Sequence, residues 1–278
     1  MMILFNDQII PKDQVTISFE DRGYTFGDGV YEVFRLYRGI PFCREAHMHR
    51  LKRSLMETRI QLPYPMEKLE HYLDQLITTA PQQDGLLYLQ ISRGSAPRSH
   101  AFPPAAVPVV LAYCQPLPRP VQAMRSGISA ITQPDLRWLR CDIKSLNLLP
   151  NVMAKQNALD HGADDAILVR NGTVTECTAA NIMAIRNSII YTHPANHLIL
   201  HGITRNVVLK LAKEINREVR EEAFSSKFLA RADEVFITGT TTEITPVTTI
   251  DQKPVGNGRP GPITRQLQAA FEVEAGLE

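Results

Sequence analysis

Lys144 and Glu176 are the residues whose types and settings point most directly to covalent chemistry. Lys144 stands in Arg137-Trp138-Leu139-Arg140-Cys141-Asp142-Ile143-Lys144-Ser145-Leu146-Asn147, with Ile143, Leu146, Leu148 and Leu149 as apolar neighbours. An unperturbed lysine amine has a pKa of about 10.4 and is protonated at neutral pH. Burial disfavours the ammonium form, and a pKa near 7 requires about 4–5 kcal/mol of that destabilisation. A neutral lysine attacks an aldehyde and forms a Schiff base. Glu176 closes Gly172-Thr173-Val174-Thr175-Glu176, and a carboxylate folded near the same place can keep a pyridine nitrogen protonated. The pair describes a site for pyridoxal phosphate, the lysine as covalent link and the glutamate tuning the electron sink. Read singly, each is far more often a solvated side chain.

A phosphate needs convergent donors. Gly202-Ile203-Thr204-Arg205 opens a helix, whose free N–H groups and dipole favour an anion beside the Thr204 hydroxyl. Gly239-Thr240-Thr241 follows an apolar strand as a second hydroxyl-rich turn, and Arg50 adds a cation. Taken one at a time, these are an N-cap, a polar turn and a solvated helix face more often than a ligand site. In Arg93-Gly94-Ser95-Ala96-Pro97-Arg98-Ser99-His100, the side chains of Arg98 and His100 project from one side of an extended piece and could bind a carboxylate. A solvated basic loop is the plain alternative. No metal site is expected: the imidazoles of His47-Met48-His49 diverge on a helix, and no Asp/Cys set accompanies them. Gly23, Gly27 and Gly29 are wrongly spaced for a dinucleotide loop, and there is no P-loop.

The elements that must position these groups fall into two blocks. The 278 residues, 44% hydrophobic and 21% charged, suit an ordinary globular protein of two domains. A net charge of +1 gives no reason to expect nucleic acid or an acidic membrane surface as partner. Cys43, Cys114, Cys141 and Cys177 are scattered without a C-x-x-C pair, and no signal peptide or membrane span is evident, so a cytoplasmic protein is expected.

In the first block, Leu4-Phe5 and Ile9-Ile10 flank a turn, Val30 to Tyr37 reads as a strand, and Glu45 to Ile60 and Met66 to Ile77 as amphipathic helices. Leu86 to Ile91 and Val107 to Tyr113 read as buried strands. Pro116, Pro118 and Pro120 then interrupt any periodic pattern. The expected division is residues 1–115, a linker at 116–121, and a cofactor-binding domain at 122–278. In the second block Pro150 opens a helix, Ala166 to Glu176 and Ile182 to Thr192 form hairpins, and helices at 204–216 and 263–273 bracket the strand Glu234 to Thr238. Helices with antiparallel hairpins in two blocks predict an α+β fold.

Several long blocks, in order along nearly the whole chain, resemble the class IV (fold type IV) pyridoxal-phosphate aminotransferases, and within them the members acting on D-amino acids. They are the run Glu20 to Glu32, containing Asp21-Arg22-Gly23-Tyr24-Thr25-Phe26-Gly27-Asp28-Gly29, the loop Arg98-Ser99-His100-Ala101-Phe102-Pro103, the stretch Arg137 to Asn147, Tyr191-Thr192-His193-Pro194-Ala195-Asn196, and Thr242-Glu243-Ile244-Thr245-Pro246. The resemblance implies a small N-terminal α/β domain and a larger C-terminal, β-barrel-like domain. It implies that Lys144 is the Schiff-base lysine and Glu176 the partner of the pyridine nitrogen. Arg50, Ile203, Thr204 and Thr240 would form the phosphate cup, and Leu200 would pack on the ring. Tyr31, Arg98 and His100 would trap the carboxylate of a D-amino acid, with Arg98 and His100 reaching across from the second subunit of a homodimer. The implied reaction moves an amino group from a D-amino acid to 2-oxoglutarate or another 2-oxo acid in ping-pong order, Lys144 serving as base and then acid.

Two places depart from the family pattern. Cys177-Thr178-Ala179-Ala180 stands where D-amino-acid members can carry serines, and Gly239 replaces a serine in the second phosphate turn. A branched-chain L-aminotransferase or a 4-amino-4-deoxychorismate lyase would be alternatives inside the family, and the Arg98-Ser99-His100 loop argues against both. Outside it stand a cofactor-free Schiff-base aldolase and a cofactor-binding regulator without turnover.

Overall fold

The structure, a computed structural model, describes residues 1–80 and 83–277. The chain divides into two compact units, Met1–Pro118 with Ile143–Asn147, and Arg119–Asp142 with Leu148–Glu278.

The first unit contains β1 (Met2–Phe5), β2 (Gln8–Pro11), α1 (Arg22–Phe26), β3 (Gly29–Tyr37), β4 (Ile40–Pro41), α2 (Arg44–Thr58), α3 (Met66–Thr78), β5 (Gly85–Ser92) and β6 (Val109–Pro116). Its strands form one antiparallel sheet in the order β2-β1-β6-β5-β3-β4. Alternation sorts the side chains of that sheet. Val30, Phe34 and Leu36 of β3, Leu87, Leu89 and Ile91 of β5, and Val110, Ala112 and Cys114 of β6 join one apolar core. The helical spacing of Met48, Leu51 and Leu55 on α2, and of Leu69, Leu73, Leu76 and Ile77 on α3, completes it. Arg59 ends α2 in the left-handed region at φ 53°, its N–H returning to the Leu55 and Met56 carbonyls. On the opposite sheet face Tyr31, Tyr88 and Tyr113 stack in a row across three strands.

Ile143 is buried in this same core although most of its sequence neighbours belong to the second unit. Burying one such side chain contributes about 1.5–3 kcal/mol. It anchors the pentapeptide that carries Lys144.

The second unit contains α4 (Val121–Ser126), β7 (Ile128–Pro134), α5 (Leu149–Asp160), β8 (Asp165–Arg170), β9 (Thr173–Cys177), β10 (Asn181–Arg186), β11 (Ile189–Thr192), α6 (Ile203–Glu214), β12 (Val219–Arg220), α7 (Ser226–Leu229), β13 (Glu234–Gly239), β14 (Glu243–Ile250), β15 (Lys253–Pro254) and α8 (Pro262–Glu274). The main sheet runs β12-β11-β10-β13-β14-β7-β8-β9. Hairpins alone do not describe it: β7–β8, β7–β14 and β11–β12 are parallel pairs. The sheet curls, so that β9 at its end comes back beside β10, where the Cys177 N–H donates to the Ala180 carbonyl at 2.8 Å. Ala130, Ile167, Val174, Ile182, Ala184, Val235, Ile237 and Val247 fill the inside of the curl. Phe236 faces the other way, and α6 and α8 pack on that side of β13, which explains the unbroken apolar run Val235-Phe236-Ile237. The fold class is α+β.

Candidate active site

In the first unit, Lys144 is held by backbone pairing with β3. The Tyr31 N–H donates to the Lys144 carbonyl at 3.0 Å, and the Leu146 N–H to the Gly29 carbonyl at 3.0 Å. The Lys144 N–H donates to Ser54 Oγ at 3.3 Å. The Lys144 side chain is half-buried, with Nζ 4.0 Å from the centre of the Tyr31 ring. Tyr31 and Lys144, two of the expected site residues, are therefore neighbours.

Arg50 lies on α2 in a buried cluster. Its Nε donates to Glu32 Oε1 at 2.7 Å and its Nη2 to Glu32 Oε2 at 2.8 Å, while His47 Nδ1 is 2.9 Å from Oε2. Burial works against the Glu32 carboxylate, but Arg50 and then His47 outweigh it and hold the group at about 2. Burial also pushes His47 below its usual value against the pull of Glu32. A bidentate carboxylate fixes the plane of the Arg50 guanidinium. Glu32 alternates with Tyr31 on β3 and so points to the opposite sheet face.

Arg98 and His100 are exposed, yet neither is loose. Arg98 Cζ lies 4.6 Å from the Phe26 ring centre, and the His100 ring 5.6 Å from it. Both residues thus rest on one aromatic side chain.

In the second unit, Glu176 is the last residue but one of β9 and is buried. The Leu200 N–H donates to its carboxylate at 3.1 Å, and Asn181 Nδ2 donates to Oε2 at 2.9 Å. Arg137 Nη1 donates to Oε1. Burial pushes the Glu176 carboxyl up to about 7, against the pull of Arg137 and of the Leu200 amide. Arg137 is braced in turn by Asp135, which accepts from its Nε and Nη2, each at 2.9 Å, and from Thr175 Oγ1 at 2.9 Å. Arg170 adds a second cation to Asp135 at 3.0 Å. Burial opposes the Asp135 charge, but the two guanidiniums hold its carboxyl well below the usual range. Among the described residues, Glu176 therefore has one paired buried cation and several donors aimed at it. Such a carboxylate gains from a further cationic partner.

Asn181 gathers the remaining groups. Its Nδ2 also donates to the Leu200 carbonyl at 2.9 Å, which ties the half-buried Leu200 to Glu176. Gly202, the N-cap of α6, approaches Asn181 so closely that a β-carbon there would lie 2.0 Å from Asn181 Oδ1. No side chain caps α6 at this end, and Ile203 and Thr204, both buried, form its first turn. Asn181 pairs across the sheet with Thr238, which places the Gly239-Thr240 turn beside Ala180. Thr238 Oγ1 and Thr242 Oγ1 are buried there without a hydrogen-bond partner among the described residues. A β-carbon at Gly239 would come within 2.8 Å of Thr242 Oγ1, so the Thr242 hydroxyl fills the place of a side chain at 239. An uncapped helix start and orphaned hydroxyls offer hydrogen bonds to an anion and have no protein acceptor of their own. The donor set fits a phosphate.

Residues 29–250 match the family model of amino-transferase class IV. The chain belongs to the class IV aminotransferases. This class IV aminotransferase is 47% identical, over 272 residues, to a D-alanine aminotransferase of Bacillus licheniformis, a match covering 98% of this chain and 96% of that protein. A D-alanine aminotransferase of Staphylococcus haemolyticus is 44% identical over 270 residues, 97% of this chain and 96% of that protein. Among solved structures, an Escherichia coli branched-chain amino acid aminotransferase superposes with a TM-score of 0.92 at 28% identity, covering 97% of this chain and 93% of that one. A branched-chain amino acid aminotransferase of Thermobaculum terrenum, solved in its PLP-form, gives 0.87 at 27% identity, covering 100% and 94%. Aminotransferases of this class are pyridoxal-phosphate enzymes.

Sequence reasoning missed Glu32, His47, Asp135, Arg137, Asn181, Thr238 and Thr242 as parts of these clusters. Each is a polar residue in or beside a strand or helix, and although Glu32, Arg137 and Thr242 fall inside the blocks that carry the resemblance, none was given a role there. The one available signal was a charged or amide residue inside an apolar strand pattern, as with Glu32 in Val30-Tyr31-Glu32-Val33-Phe34.

Proposed function

We propose that this pyridoxal-phosphate aminotransferase transfers the amino group of a D-amino acid to 2-oxoglutarate or another 2-oxo acid, by a ping-pong sequence. The observation that carries the placement of the cofactor is the cluster around Asn181, where a buried carboxylate of raised pKa stands beside an uncapped helix start and two orphaned hydroxyls. The residues that would hold the group are Lys144, Glu176, Arg50, Leu200, Ile203, Thr204, Gly239 and Thr240. Pyridoxal phosphate, when bound, supplies an aldehyde to capture amines and an electron sink for the substrate's α-carbon.

The chain supplies the rest. Lys144 would hold the cofactor's aldehyde through Nζ, and the same amine would take the proton from the substrate's α-carbon and later return it. The Tyr31 ring, with its centre 4.0 Å from Nζ, fixes where that amine stands. Glu176, kept in place by Arg137, Asn181 and the Leu200 amide, would hold a proton on the ring nitrogen. Arg98, His100 and Tyr31 take the substrate carboxylate, and Arg98 and His100 do so across a homodimer.

Near-full-length identity to two D-alanine aminotransferases, together with the Arg98-Ser99-His100 loop, supports the D handedness. Cys114, Cys141 and Cys177 are buried without disulfide bonds, which suits the cytoplasmic setting proposed here. No helix among the described residues is long and apolar enough to cross a membrane. The test is an assay of D-alanine with 2-oxoglutarate beside L-leucine with 2-oxoglutarate, reading oxo-acid product and the handedness of the amino acid consumed. Turnover of D-alanine alone is expected. Turnover of L-leucine alone would make the enzyme a branched-chain aminotransferase and overturn the proposal.

A further inference from the structure

The loop that carries Arg98 and His100 is exposed, yet it is pinned along its length to the segment Asp21–Gly29. At its start, Gly94 adopts φ +95°, and a β-carbon there would lie 1.9 Å from the Val107 carbonyl oxygen, so the two ends of the loop nearly touch. The Arg22 N–H donates to the Gly94 carbonyl at 3.0 Å. At the middle of the loop, Arg22 Nη1 donates to the Ser99 carbonyl at 2.6 Å. Further on, Phe102 is covered by Arg93 at 3.6 Å and Arg59 at 4.9 Å. Asp28 ties two of these arginines together, accepting from Arg22 Nε at 2.8 Å and from Arg93 Nε at 2.8 Å and Nη2 at 3.0 Å.

Phe26 stands at the centre of this brace. It ends α1, a single turn started by Asp21, whose side chain accepts from the Gly23 N–H, and stopped by Gly27 at φ 65°. Arg22 Cζ lies 4.8 Å from its ring centre, Arg98 Cζ 4.6 Å, and the His100 ring 5.6 Å. One ring therefore touches the arginine that clamps the loop and both side chains that the loop presents. Arg22 and Arg93 share the Asp28 carboxylate, while Arg59 lies on the Phe102 ring and Arg98 on the Phe26 ring.

We propose that Phe26 is a positioning residue for the substrate: its ring, set by the Arg22–Asp28–Arg93 brace, fixes the orientation in which Arg98 and His100 take the carboxylate of the amino acid and of the oxo acid. The proposal rests on the assignment of Arg98 and His100 as carboxylate-binding groups. Flexible arginine and histidine side chains on an exposed loop would otherwise lose rotamer freedom when the substrate binds. Resting them on a ring removes that cost beforehand.

The test uses the holoenzyme. Phe26→Leu keeps an apolar side chain and removes the aromatic face, and Phe26→Tyr keeps the face. Cation–π contacts of this kind are modest, so Phe26→Leu should raise KM for amino acid and oxo acid about three- to tenfold, with kcat changed less than about twofold. Inhibition by propionate, a carboxylate with no amine, should weaken by the same factor. The cofactor's visible absorption should stay as in the wild type, and Phe26→Tyr should restore KM. In an Arg98→Ala background Phe26→Leu should add little, because the ring acts through Arg98. An unchanged KM, an effect that simply adds to that of Arg98→Ala, or a loss of kcat with loss of bound cofactor would each overturn the proposal. KM is read with whichever amino acid the wild type consumes, and propionate has no handedness. A failure of the D assignment therefore shows in the choice of amino acid, and a failure of the Phe26 role in these ratios.

Discussion

Replacing Glu176 by glutamine in the cofactor-free protein should remove a defined slope of stability against pH. The Glu176 carboxyl titrates at about 7 in the folded chain, against 4.5 for an unperturbed glutamate. Between those limits the folded chain binds more protons than the unfolded one, so stability falls as pH rises through the window. From about pH 5 to about pH 8 the loss from this one group is about 2–3 kcal/mol. Other groups act in the same range with the opposite sense. His47 and His193 are pushed below 6.5 by burial, so their contribution is present at higher pH and lost as the unfolded histidines take up protons. Asp135, with its depressed value, loses its contribution only at more acidic pH. Comparison of the two proteins cancels these terms. Glutamine brings its own cost, since its amide must face donors from Arg137 or Asn181, but that cost does not vary with pH. Urea unfolding of both apoproteins across that range should show the variant gaining about 2–3 kcal/mol on the wild type between the acid and the basic end. Parallel curves would mean that Glu176 carries no raised pKa.

Two further substitutions test the clusters that hold the site residues. Glu32→Gln leaves the buried Arg50 guanidinium without its counter-charge and should cost about 3–5 kcal/mol in urea unfolding near neutral pH. Because Glu32 titrates at about 2, that loss should be flat above about pH 5. Thr242→Val keeps the shape of the side chain and removes a hydroxyl that has no partner among the described residues. The apoprotein should be as stable as the wild type or up to about 1 kcal/mol more so, while pyridoxal phosphate, followed by its absorption in a titration, should bind about three- to tenfold more weakly.

Local patterning made much of the fold legible. Asn171-Gly172 between Ala166–Val169 and Thr173–Glu176 marked β8 and β9, and the leucines of α3 marked that helix at its observed place. Pro116, Pro118 and Pro120 read as a linker at 116–121; the second unit begins at Arg119, and Ile143–Asn147 returns to the first. The same prolines concealed α4, which starts directly after Pro120. The strand β14 was hidden by Pro246, a residue seldom found inside a sheet, although Glu243–Val247 are all buried. Parallel pairing of β7 with β8 could not be read at all, since periodicity states which face is apolar and not which strand lies alongside.

The candidate site was legible as residue types and not as partnerships. Lys144 and Glu176 stood out by their chemistry, but the return of Ile143–Asn147 to the first unit depends on one buried isoleucine and a few backbone bonds to β3. Arg50 was visible as a cation, whereas its pairing with Glu32 joins a strand and a helix through side chains 18 positions apart. Arg98 and His100 were visible as a basic loop, and Phe26, which carries both, looked like one more residue of a glycine-rich stretch. Long-range contacts of this kind leave no period in the sequence.

The most direct test of the central claim is borohydride reduction of the holoenzyme, followed by mass mapping of its peptides. The account predicts one phosphopyridoxyl group per chain, on the peptide that contains Lys144, with bleaching of the visible absorption. A label on another lysine, or a protein that binds pyridoxal phosphate without any reducible link, would contradict it.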